Sequence, residues 1–106
     1  MEQIVTTSDW KLFRQRLPDW QEQFMGKLIK EYSELMDDSS VSPSDKFWRL
    51  ESRLKEDKQL TGVKCRMIKS DVIWNLISLY REGAITFEDL DGFSEKLIDR
   101  VKIAVE

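Results

Sequence analysis

The stretch WKLFRQRLPDWQEQFMGKLIKEYSEL, residues 10–35, decides the fold. Trp10, Phe13, Leu17, Trp20, Phe24, Leu28, Tyr32 and Leu35 recur at steps of three or four, the 3.6-residue period of an amphipathic helix. Pro18 interrupts the stripe. Proline fits a first turn but removes a hydrogen bond from a helix interior, so the spacing predicts either two helices meeting at Pro18 or one helix kinked there. The apolar stripe continues across the proline, so both pieces should face one core.

Working outward, DDSSVSPSD (37–45) reads as a loop that ends in a helix start, with Ser42 as cap and Pro43 at the first helical position. A second helix should run to about Asp57 with Phe47, Leu50 and Leu54 as its seam, and Gly62 marks the next break. A third is expected from about Val63 to Glu82. Its segment VIWNLISLY (72–80) is apolar over most of its circumference, leaving a polar strip of Asp71, Asn75, Ser78 and Glu82. Such a helix is buried on more than one side, at the centre of the fold or at a subunit interface. In EGAITFEDL (82–90), Gly83 should end the third helix and Thr86 cap a fourth, Asp89 completing a capping box and Ile85 and Leu90 a hydrophobic staple. The fourth carries Leu90, Phe93, Leu97, Ile98, Val101 and Ala104 on one side.

No segment alternates with period two for more than a few residues. The expected fold is all-α, one domain over residues 1–106, a compact bundle of four main helices, mostly antiparallel because the loops are short.

Charge excludes some functions. Seventeen Lys and Arg against twenty Asp and Glu give a net charge of −3, so the protein as a whole does not attract polyanions. Residues 43–69 are locally basic, with eight cations against four anions, and residues 70–106 reverse that ratio, four against eight. With no histidine and a single cysteine, Ser/His and Cys/His catalysis and Cys/His zinc sites are absent from the sequence. No internal disulfide can form, which points to a reducing compartment, with the cytoplasm as the default. The start MEQIVTTSDW has neither the basic end nor the apolar run of a signal peptide, and no stretch approaches the length of a membrane span.

Cys65 lies between Lys64 and Arg66, which could lower its thiol pKa; burial as a small apolar residue is the simpler reading. EDLDG (88–92) fails as a calcium loop, since aligning Gly92 with the invariant glycine puts Phe87 first and Ile98 twelfth. EYSE (31–34) resembles the first half of the magnesium-binding carboxylate pairs of all-α nucleotide pyrophosphohydrolases. The second half is missing, because Glu51 is followed three residues on by Leu54 and Glu56 by Gln59. The four glycines lie singly, so no phosphate loop is present. No catalytic residue, metal or cofactor is expected.

KFWRLESRLK (46–55) raises nucleic-acid binding. Lys46, Arg49 and Arg53 share one helix face, and Lys64, Arg66 and Lys69 follow. Asp45, Glu56 and Asp57 stand at helical spacing among them, which marks a solvated mixed face. The acidic start of the fourth helix also disfavours a helix-turn-helix reading. The first helix has an acidic polar side (Asp19, Glu22, Glu31, Glu34), against membrane attachment. Protein association remains, supported by four Trp, five Phe and two Tyr. The expectation is a homodimer through Val72, Leu76 and Leu79 with part of the fourth helix, and Trp48 as a further candidate contact. The alternative is a nucleic-acid-associated or regulatory protein using the basic residues of 46–69, and the third reading a nucleotide hydrolase dependent on carboxylates and magnesium.

SPSDKFWRLESR (42–53) and REGAITFEDLDGFSEKL (81–97) together resemble a group of small bacterial helical proteins without an assigned activity, so the resemblance implies a helical fold and no function. The second string also resembles a helical hairpin module written as helix, Gly-x-Ile-Thr and an acidic helix start, which supports the turn alone.

Overall fold

A computed structural model describes residues 4–106. The described residues form four α-helices and no strand: α1 (Thr7–Asp37), α2 (Pro43–Asp57), α3 (Val72–Glu82) and α4 (Glu95–Val105). Single 3₁₀ turns occupy Lys69–Asp71 and Phe87–Leu90.

α1 is one helix of 31 residues, about 46 Å long at 1.5 Å per residue. It runs through Pro18 without a break. Pro18 is exposed and sits opposite the buried Phe13, Leu17 and Trp20, so the Arg14 carbonyl that loses its donor faces the solvent side. Burial of three large side chains on either side of the proline outweighs one missing hydrogen bond. The two-helix expectation is corrected accordingly.

The stripe of α1 serves two cores in turn. Phe13, Leu17 and Trp20 join α3, α4 and the connections around them, where Val72, Leu76, Leu79, Leu97 and Val101 have no exposed surface. Phe24, Leu28 and Tyr32 form a second, smaller cluster with Leu50, Leu60 and Val63, and Ala84 packs against both. The bundle is therefore elongated. Its extents are 56 × 23 × 22 Å and its radius of gyration is 16.7 Å, against about 13 Å for a fully compact chain of this length.

α2 doubles back along the second half of α1. Lys46 donates to the Met36 carbonyl at 2.7 Å, Arg53 pairs with Glu31 at 2.8 Å, and past the helix end Gln21 donates to the Thr61 carbonyl at 3.3 Å. The turn after α2 is held to α3 by Glu82, whose two carboxylate oxygens accept the Thr61 and Gly62 N–H groups, each at 2.9 Å.

Two expected helix starts move. The third helix begins at Val72 rather than Val63, because residues 61–66 give their backbone groups to side chains of α3: Glu82 takes two N–H groups and Asn75 donates to the Arg66 carbonyl at 3.2 Å. α3 ends where expected, at Gly83 with φ +82°. The Thr86 N–H donates to the Asp89 carboxylate at 2.7 Å as the capping box requires, yet only one 3₁₀ turn follows. Arg16 donates to the Asp89 and Asp91 carbonyls, the acceptors a continuing helix needs, and Gly92 turns the chain at φ +95°.

The segment after α3 thus travels back along α1: Lys27 donates to the Gly83 carbonyl, Arg16 to Asp89 and Asp91, and Asp9 accepts from Ser94. α4 starts beside the start of α1, while Arg81 reaches the Ala104 carbonyl at 2.8 Å, which places the end of α4 by the end of α3. Between α3 and α4 a connection makes the return leg that a short-loop, up-and-down bundle assigns to a helix.

A candidate protein-docking surface

α2 is amphipathic, yet none of its fifteen residues is buried. Of its apolar residues Phe47, Leu50 and Leu54, only Leu50 packs against the α1 cluster, because one helix cannot cover the whole face. Phe47 remains 64% exposed and Leu54 42%, and on the facing edge of α1 Ile29 is 60% and Met36 37% exposed. Two shallow grooves between the helices share Ile29, Tyr32 and Leu54 and merge into one apolar channel; Asp37 lies at its outer end and Lys58 at its inner end. A two-helix arm of this kind buries only one side of each helix, so the other side stays in contact with water.

Beneath the channel the arm is held by polar contacts. The Tyr32 hydroxyl donates to Asp57, and the Arg53 guanidinium stacks 5.3 Å from the Tyr32 ring while pairing with Glu31 and Asp57. Burial, and then donation to Asp57, push the Tyr32 phenol up to about 12, so it stays a donor at ordinary pH.

Trp48 is 64% exposed, its ring set edge-on to Phe47 at 5.1 Å between centroids. It borders a separate groove with Leu35, Asp45, Arg49 and Glu56 on the other side of the arm. Its own chain does not cover it.

Val72, Leu76 and Leu79 are core. Each is completely buried in the main cluster, so none is accessible to a second subunit. What α3 exposes is Trp74, at 67%. The seam assignment of Phe47 and Leu54 is corrected in the opposite sense, since they face outward because α2 has a single neighbour.

The six cations do not make one surface. Lys46 is bound to Met36 at the tip of the arm, Arg53 is engaged by Glu31 and Asp57, and Arg49 is exposed beside them. Lys64, Arg66 and the half-buried Lys69 follow the turn, with Arg66 next to α3 through Asn75. Glu31, one of the two carboxylates of EYSE, is Arg53's partner. The Cys65 thiol moves up rather than down: burial, and then the carboxylates of Glu82 and Asp71, outweigh the flanking cations.

Sequence reasoning passed over Ile29, Met36 and Gly26. The signal for them was present, because α1 carries Met25, Ile29 and Met36 off the main stripe, a second apolar edge that a helix with one neighbour has no use for.

Comparison with protein-family models, with curated proteins and with solved structures finds no match for this chain. The likeness of residues 42–53 and 81–97 to small bacterial helical proteins therefore brings no function with it. Fold and surface define the class: an elongated all-α protein with a body that holds the main core and a two-helix arm with exposed apolar residues along its outer face. None of the helices described is long and apolar enough to cross a membrane.

Proposed function

We propose that this protein is a non-catalytic association domain that docks through the outer face of its α1–α2 arm, in the first instance onto a second copy of itself. The observation that carries this reading is the exposure of Ile29, Met36 and Leu54 along one channel, with Phe47 exposed on the same arm. Exposed large apolar side chains scattered singly are ordinary, whereas three along one groove, with the exposed Phe47–Trp48 pair on the same arm, mark a contact surface. A lone cysteine without a disulfide partner supports a reducing compartment, and we place the protein in the cytoplasm.

Phe47→Ser combined with Leu54→Ser tests the surface. Both side chains already lie largely in water, so the helical far-UV spectrum should change little. Sedimentation velocity over a concentration series should show the wild type passing from the 12.6 kDa monomer to a dimer in the micromolar range, as expected for a small interface, and the variant remaining monomeric. Identical behaviour of the two proteins would refute the assignment.

A further inference from the structure

We infer that the second copy docks with its arm antiparallel to the first, about a two-fold axis passing close to Ser33 and Leu54. This rests on the association reading above and adds the arrangement to it.

A two-fold interface brings one surface onto itself, so the surface must be self-complementary. The channel has opposite charge at its two ends, Asp37 outside and Lys58 inside, where Asp57 is already engaged by Arg53 and Tyr32; Asp37 and Lys58 are exposed and make no ion pair among the described residues. The α2 edge repeats the sense, with Glu51 toward the tip and Lys55 one turn inward. Antiparallel arms set Asp37 against the other copy's Lys58 and Glu51 against its Lys55, each pair occurring twice. Parallel arms would set like against like.

The helix ends agree. Asp37 closes α1, where the carbonyl end of the helix disfavours an anion, and the last turn holds no cation. A lysine from the second copy supplies one. The apolar parts fit the same register: the axis lays each helix of the arm over its own counterpart, so Met36, near the tip of α1, comes over the other copy's Ile29 toward the base. Gly26 is exposed in mid-helix one turn before Ile29, with open space where a side chain would stand, so the other copy's α1 can approach the backbone there.

The test is a charge exchange in the full chain, read by sedimentation equilibrium at low salt, with thermal melts confirming the fold of each variant. Asp37→Lys and Lys58→Glu alone should each weaken the dimer about tenfold, since each replaces two attractive pairs by two repulsive ones. The double variant D37K/K58E should return to within about threefold of wild type. In a Cys65→Ser background, Asp37→Cys mixed with Lys58→Cys should give a heterologous disulfide in mild oxidant, and Asp37→Cys alone none. Dimers whose affinity the double exchange does not restore, or that cross-link Asp37→Cys to itself, would overturn the antiparallel arrangement and leave the association standing. A wild-type protein that stays monomeric at several hundred micromolar would overturn both, and the arm would then serve a different protein.

Discussion

Asp9→Asn should lower the unfolding free energy by about 2 kcal/mol and Asp9→Ala by about 3–4 kcal/mol, as measured by urea denaturation. Asp9 is the one buried charged residue of the described chain, only 2% exposed, and it joins the starts of two helices that lie 85 residues apart. One carboxylate oxygen accepts the Ser94 N–H at 2.7 Å. The other accepts the Ser94 hydroxyl at 2.7 Å and the Thr6 N–H at 3.0 Å, and the Asp9 N–H returns a bond to Thr6 Oγ1. One side chain thus completes the capping box of α1 and holds the residue that precedes α4. An asparagine amide cannot replace it, because whichever way the amide is turned its NH₂ meets a backbone N–H. Alanine leaves both N–H groups without an acceptor.

The same carboxylate sets an acid limit. Burial acts to raise its pKa, but the bonds from Ser94 and Thr6 outweigh burial and hold it below the ordinary 3.8. A depressed folded-state pKa contributes stability that is complete above the unfolded value and is lost as pH falls through the lower folded one. Unfolding free energy measured from pH 6 to pH 2 should therefore drop below about pH 4, and Asp9→Asn should show a shallower drop than the wild type. Parallel curves for the two proteins would assign the acid transition to other carboxylates.

Gly62→Ala should cost about 2–3 kcal/mol, and the identical change at Gly26 should have the opposite sign. A Cβ at residue 62 would stand 2.4 Å from Phe24 Cδ2 and 2.7 Å from Cγ, far inside contact distance. The Phe24 ring cannot withdraw cheaply, since with Leu28 and Tyr32 it makes up the buried part of the smaller cluster. The backbone cannot withdraw either without loosening the two N–H bonds to Glu82 that fix the arm to the body. At Gly26 nothing lies within 4 Å of the added atom, so alanine there gains helix propensity and should raise the monomer's stability by about 0.5–1 kcal/mol. Thermal melts of the two variants at a dilution where the protein is monomeric compare the signs directly. Equal destabilisation would show that neither packing argument holds.

The helices were legible where their signals are local. The period of residues 10–35, the Ser42 and Pro43 start and the Gly83 stop all depend on neighbours three or four residues away, and the structure has each of them. Legibility failed where a distant side chain takes over a backbone group. Thr86 and Asp89 make their box, but Arg16, more than seventy residues upstream, holds the carbonyls that would have carried the helix onward. Residues 63–68 look helical by composition and are drawn into an open turn by Asn75 and Glu82 from α3.

The candidate surface was legible in kind and not in place. Trp48 was singled out, whereas Phe47 and Leu54 read as core and Val72, Leu76 and Leu79 as interface. An apolar helix face says that something must cover it, and the number of neighbours decides whether its own chain does. By itself the sequence determined an all-α chain, its four helical segments and the lack of histidine chemistry, because period, caps and composition act over a few residues or none. Only the tertiary structure decided which apolar faces are covered. α3 buries Val72, Leu76, Ile77 and Leu79 in the body, while α2 meets a single helix and keeps its outer face in water.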